Sequence, residues 1–157
     1  MDASHKRLGF DELFYIQLAT LKIRKEWQQK TSVDTFEVSS KKLKEFIKSI
    51  PFDLTKAQLR VINEILEDLK RGTPMNRLVQ GEVGSGKTIV AAIIAYITYL
   101  NGYKTLYMAP TEILAFQHQS TLSRLLEPFG ISVGIYTGSR KFTKSKVARV
   151  KSQGITI

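Results

Sequence analysis

Eight consecutive residues, Gly81-Glu82-Val83-Gly84-Ser85-Gly86-Lys87-Thr88, follow the pattern G-x-x-x-x-G-K-T. A loop of this composition turns backbone N–H groups inward around phosphate oxygens. Its lysine reaches the β- and γ-phosphates, and its threonine hydroxyl holds Mg²⁺. Gly84 and Gly86 let the backbone approach the phosphates closely. The loop runs into a helix, whose first N–H groups favour an anion. The chemistry implied is binding of a nucleoside triphosphate with Mg²⁺, with Lys87 neutralising phosphate charge and Thr88 ordering the metal.

Such a loop works only between a strand and a helix, and the flanking residues fit that demand. Met75 to Gln80 (MNRLVQ) reads as a short buried strand, and Lys87 to Asn101, with its apolar run from Ile89 to Leu100, reads as a helix capped by Gly102. Upstream, Thr55 and Gln58 form a T-x-x-Q capping box opening a helix that buries Val61, Ile62, Ile65, Leu66 and Leu69. Arg71-Gly72-Thr73-Pro74 stops that helix. Downstream, Lys104 to Ala109 is the next strand, and Pro110-Thr111-Glu112 opens a helix to about Glu127. Ile131 to Tyr136 is the third strand, a basic helical segment spans roughly Thr143 to Ser152, and Ile155 to Ile157 starts a fourth strand. Strands alternating with helices at this spacing predict an α/β fold with a parallel sheet and right-handed crossovers.

Residues 7–28 read as a helix with Leu8, Leu13, Ile16, Leu21 and Ile23, plus Phe10, Phe14 and Tyr15, along an apolar stripe. A polar stretch follows from Gln28 to Ser39. Residues 40–49 form a short second helix with Leu43, Phe46 and Ile47 inward. Pro51-Phe52-Asp53-Leu54 breaks the pattern, so the chain divides into a helical lead-in, 1–50, and an α/β domain, 51–157. Packing support is the reading favoured for the lead-in.

The chain has 157 residues and carries 24 Lys+Arg against 14 Asp+Glu, a net charge of +10 that favours a polyanionic partner. It has no cysteine, which excludes a disulfide framework and a thiolate metal site. MDASHKRLGF lacks an apolar signal region, and the run Ile89 to Leu100 is shorter than the roughly 20 residues of a membrane span. A soluble, cytoplasmic protein with no membrane partner is expected. The basic run Arg140, Lys141, Lys144, Lys146, Arg149 and Lys151 fits either a solvated face or a DNA contact.

The order of motifs narrows the class. An F-x-L-T-x-x-Q segment (Phe52, Leu54, Thr55, Gln58) precedes the phosphate loop by one helix. PTEILAFQH, residues 110–118, follows the second strand, and Thr137-Gly138-Ser139 follows the third. This arrangement resembles the first motor domain of a superfamily-2 helicase, a RecA-like domain present here in part. RLGFDELFYIQLA, PFDLTKAQLRVINEI, PMNRLVQGEVGSGKT and PTEILAFQH resemble the RecG family of ATP-dependent translocases that remodel branched DNA.

The resemblance implies ATP and Mg²⁺ at Gly81, Glu82, Val83, Gly84, Ser85, Gly86, Lys87 and Thr88. It also implies an adenine contact from Gln58 and base stacking on Phe52. Gln58 could equally serve the capping box alone, and both roles can coexist. DNA-backbone contact is implied for Pro110, Thr111, Gln117, His118, Thr137 and Gly138, at the carboxyl ends of strands where ligands of open α/β sheets bind. His118 reads as structural or DNA-proximal, without a metal role. Thr111 could instead cap its helix.

Hydrolysis also needs an acid that holds Mg²⁺ and a residue that positions water. In this superfamily that pair is D-E-x-x after the phosphate loop. The only Asp-Glu here is Asp11-Glu12, and after Thr88 the only acids are Glu112 and Glu127. The expectation is therefore an internal piece of a larger translocase, partnered by further domains of the same polypeptide, that recognises nucleotide without hydrolysing it at a meaningful rate.

Overall fold

The computed structural model describes residues 3–29, 35–138 and 155–156. Its elements in chain order are α1 (Ala3–Gln29), α2 (Ser40–Ser49), α3 (Lys56–Lys70), α4 (Lys87–Leu100), β1 (Thr105–Leu106), α5 (Glu112–Leu126), a 3₁₀ turn (Glu127–Phe129), β2 (Val133–Gly134) and β3 (Ile155–Thr156). The predicted helix at 143–152 lies outside the described residues.

Local chemistry explains where the helices begin. Ser39 caps α2 by accepting from the Lys42 amide. Thr55 caps α3 through the full capping box: its hydroxyl accepts from Gln58 N at 3.2 Å, and Gln58 Oε1 accepts from Thr55 N at 2.8 Å. Thr111 caps α5 by accepting from Leu114 N. Of these four helices only α4 starts without a side-chain cap, at Gly86.

Helix α4 is apolar nearly all round, and it lies at the centre. It buries Ile89, Val90, Ala92, Ile93, Ala95, Tyr96 and Ile97, and packs against α2, α3, α5 and β1. The predicted inner face of α3 is realised, with Ile62, Ile65 and Leu66 buried and Val61 and Leu69 half-buried. Phe46 of α2 is fully buried and stacks on Tyr96 with ring centroids 4.4 Å apart. Phe129 packs against both rings. Burial raises the Tyr96 phenol above its ordinary pKa, with Glu45 adding to the effect. The stretch before α2 is also fastened. Phe36 N donates to Leu69 O, and Glu37 exchanges two hydrogen bonds with the Asn101 amide, at 2.7 and 3.0 Å. Residues 35–50 thus share one core with the helices that follow.

The sheet is smaller than the sequence suggests. β3 lies between β1 and β2 and pairs parallel with each, Ile155 opposite Thr105 and Val133. Each ladder is two residues long, so the described chain is mostly helical. Met75–Gln80, read as a buried strand, forms no ladder with any described strand, and Leu78 within it is 86% exposed. A strand is completed by ladder hydrogen bonds to a neighbour, and none is formed by this segment among the described residues. The segment is held instead by Arg77, which donates to Asp68 at 2.8 Å and to Glu64 at 2.9 Å on α3. The bond it donates to Asp68 is the main reason the Arg77 guanidinium is held in its charged form even more firmly than usual.

Helix α1 departs from expectation in a different way. It is longer than predicted, and its apolar stripe is not buried: Leu8, Phe10, Leu13, Phe14, Tyr15, Ile16, Leu21 and Ile23 are all exposed. Phe10 and Phe14 stack on one another along its surface. Among the described residues, no helix is long and apolar enough to cross a membrane.

Candidate nucleotide site and nucleic-acid edge

The loop from Gly81 to Gly86 turns on a bond from Ser85 N to Glu82 O at 3.1 Å and then enters α4. Gly86 has a left-handed backbone, φ +81°, and accepts from Ile89 N at 3.0 Å. The amides of Lys87 and Thr88 therefore sit ahead of the ladder of α4, at its positive end. The left-handed backbone makes any side chain at Gly86 strained, and a Cβ there would also displace the Gln58 amide.

Lys87 Nζ lies over the loop, donating to Gly81 O and Glu82 O at 2.8 Å each and reaching Ser85 Oγ at 3.5 Å. The ammonium is thereby centred on the ring of backbone that a phosphate chain would enter. Gln58 also belongs to this ring. Its Nε2 donates to Ser85 O at 2.8 Å while its Oε1 holds the α3 cap. One amide thus spans the gap between the start of α3 and the phosphate loop. In this arrangement each end of Gln58 makes one bond, leaving one N–H and one lone pair of the amide for a further contact. Phe52 stands half exposed just before α3. Val83 is fully exposed at the loop tip.

Thr88, one residue inside α4, is half-buried. Among the described residues no group of three or more His, Cys, Asp or Glu side chains can hold a metal ion. A single hydroxyl beside an anion loop instead suits a hard cation carried largely by phosphate oxygens and water, as Mg²⁺ is. The residues present therefore fit a Mg²⁺–nucleotide, with Lys87 and Thr88 as its contacts.

The predicted nucleic-acid residues meet at one edge. Pro110, Thr111, Glu112 and Ala115 from the start of α5, and Tyr136 and Thr137 after β2, line a cavity of about 480 Å³ together with Leu106 to Ala109. Thr137 is buried. Gly138 closes against α5: a Cβ there would come within 3.3 Å of Glu112 Oε1. Gln117 is exposed farther along α5, while His118 is half-buried with its ring 5.1 Å from that of Tyr107. Ser139 and the basic run 140–151 lie outside the described residues.

Sequence reasoning missed three residues here. Glu112 places a carboxylate at an edge read as phosphate-binding. Tyr107 lines the same edge and packs its ring on His118, and Arg77 anchors the segment that leads into the loop.

Fold and site together define a phosphate-loop nucleotide-binding domain with a ligand edge at its strand ends. Residues 55–157 match the family model described as DEAD/DEAH box helicase. The chain belongs to the DEAD/DEAH box helicase family, and within it to the RecG type. It is 49% identical to the ATP-dependent DNA helicase RecG of Aquifex aeolicus over 88% of this chain and 17% of that protein. It is 43% identical to RecG of Synechocystis over 93% of this chain and 18% of that protein. For RecG of Bacillus subtilis the identity is 43%, over 91% of this chain and 21% of that protein. The chain thus spans about a fifth or less of the relatives it matches. Among solved structures, a hypothetical ATP-dependent RNA helicase from Sulfolobus tokodaii superposes with a TM-score of 0.56 at 25% identity. That match covers 75% of this chain and 33% of the other. The family and this neighbour together indicate a RecA-like fold.

Proposed function

We propose that this chain supplies the ATP-binding part of an ATP-dependent DNA helicase that remodels branched DNA in the cytoplasm. Its residues 1–50 would be the lead-in, and 51–157 the beginning of the first motor domain. The observation that carries the reading is the uncapped start of α4, where the Lys87 ammonium is centred over a loop whose geometry needs Gly86. α2, α3 and α5 use a side-chain hydroxyl where α4 leaves its first amides to a phosphate. Lys87 would bind β/γ-phosphate, Thr88 would hold Mg²⁺, and Gln58 and Phe52 would contact adenine. Pro110, Thr111, Gln117, His118, Thr137 and Gly138 would lie along the DNA backbone.

A second reading concerns these residues alone: a phosphate-loop module that binds nucleotide without hydrolysing it. Glu112 lies beside Gly138 and Glu127 opens the 3₁₀ turn, and no D-E-x-x pair follows Thr88 in this sequence. A transcription–repair coupling type of translocase would share the site, and the RLGFDELFYIQLA block favours the RecG kind.

The test is equilibrium binding of a fluorescent ATP analogue, with and without Mg²⁺, to this chain and to Lys87→Ala. Saturable Mg²⁺-dependent binding lost in the variant is the expected result. Equal binding by the two proteins sinks the assignment.

A further inference from the structure

The phosphate loop is fastened to α3 on both of its sides. On the α4 side, Gln58 Nε2 donates from the first turn of α3 to Ser85 O at 2.8 Å. On the upstream side, Arg77 Nε donates to Asp68 Oδ2 at 2.8 Å and Nη1 to Glu64 Oε2 at 2.9 Å, toward the other end of that helix. Positions 58 and 68 of a regular helix stand about 15 Å apart, so one rigid element spans the loop from end to end.

Surface ion pairs contribute little unless the geometry is bidentate or several charges form a network. Arg77 meets both conditions. Two of its nitrogens reach Asp68, whose side chain is only 17% exposed, and a third reaches Glu64. Glu64 also pairs with Arg60, and Asp68 with Arg71, so each carboxylate has a second cation. A planar guanidinium held from three nitrogens has one orientation, which sets the backbone of residue 77 relative to α3. Met75 and Val79, on either side of it, pack half-buried against the core, and apolar contact is not directional. A few residues on, Gly81 supplies the first carbonyl that holds the Lys87 ammonium.

We propose that Arg77 is a positioning residue for the phosphate loop, with α3 as the splint that keeps the two sides of the loop at a set separation. The inference rests on the nucleotide reading given above and adds to that site a residue outside the loop. Backbone amides cradle a phosphate chain only when their spacing matches it. A loop released on one side must be ordered as the phosphates enter, and that cost lowers affinity.

The experiment measures binding of a fluorescent ATP analogue with Mg²⁺ to the full chain and to Arg77→Met, well below their melting temperatures. The variant keeps the apolar stem and loses the fork. Its Kd should rise about fivefold to thirtyfold, the range for ordering one further residue on binding. Arg77→Lys, a point charge that cannot span Asp68 and Glu64 together, should recover only part of the loss. Glu64→Gln removes one arm of the anchor at a side chain 47% exposed, where folding is not at risk, and should shift Kd the same way by less. Phe46→Leu is the control: it loosens the core away from the loop and should keep the wild-type Kd while folded. Gln58→Ala frees the other side of the loop. In the Gln58→Ala, Arg77→Met double variant, the second release should add less than it does alone, because the set separation is already lost.

A lower melting temperature with unchanged Kd in folded Arg77→Met, or in Glu64→Gln should the former not fold, would overturn the inference. Losses that simply add in the double variant would do the same, since they mark two independent contacts. Should Lys87→Ala abolish binding while Arg77→Met binds like wild type, only this inference fails. Should Lys87→Ala also have no effect, the nucleotide reading fails and this one falls with it.

Discussion

At the scale of single residues, Gln58 carries two tasks with one amide. It completes the cap of α3 through Oε1 and ties the phosphate loop through Nε2. Adenine recognition would be a third task, so the two structural bonds predict something that base reading does not. Gln58→Ala should destabilise the chain by about 1–2 kcal/mol in denaturant unfolding, since a cap interaction and a loop bond are lost together. It should also weaken fluorescent ATP and GTP analogues by the same factor if Gln58 acts as a latch on the loop. A selective loss of the adenine nucleotide would show that the amide also reads the base. Gly86 explains why the latch is so close. Its left-handed backbone and the absence of a Cβ let the Gln58 amide lie directly against the turn into α4.

At the scale of elements, legibility in the sequence followed how local each determinant is. α3 was readable because Thr55, Gln58 and the apolar positions of one face all lie within its own length. α4 was readable for the same reason, its loop motif and apolar run being contiguous. Met75–Gln80 was misread as a strand because pairing depends on neighbours rather than on the segment. Its anchor, Arg77 on Asp68 and Glu64, joins residues 9 and 13 apart across the α3–loop junction. The stripe on α1 had helical spacing, but its apolar residues face several directions, and no described element covers them. Of the site, the phosphate loop and the 110–118 segment were legible as motifs. The approach of Glu112 to Gly138 and of Tyr107 to His118 comes only from the folding of the segments around β1 and β2 onto α5. α2 shows what the short lead-in contributes. Phe46 is fully buried between Tyr96 and Phe129, so Phe46→Ala should cost about 3–5 kcal/mol in urea unfolding. A cost under about 1 kcal/mol would mean that 35–50 is not an integral part of the core.

For the whole molecule, charge and edge geometry make separable contributions to DNA binding. The net charge of +10 acts at long range, while Thr111 and the Thr137-Gly138 turn are neutral groups at one edge. Only neutralised phosphates release counterions, each adding about −0.9 to the log–log salt slope on duplex DNA and about −0.7 on single strands. A hydroxyl or amide contact adds affinity and no slope. If the edge contacts DNA, Thr111→Val should weaken binding severalfold at every salt concentration while leaving the slope unchanged. Replacing Lys141 and Lys144 by Gln should instead flatten the slope by up to about two phosphates' worth. Fluorescence anisotropy on one oligonucleotide from low to moderate salt reads both quantities in a single series. A flat salt dependence for the wild-type chain would mean that its positive charge serves solubility, and the scaffold reading would then replace the helicase one. A steep slope that Thr111→Val leaves intact, with no loss of affinity, would place DNA on the basic run and remove the 110–118 edge from the interface.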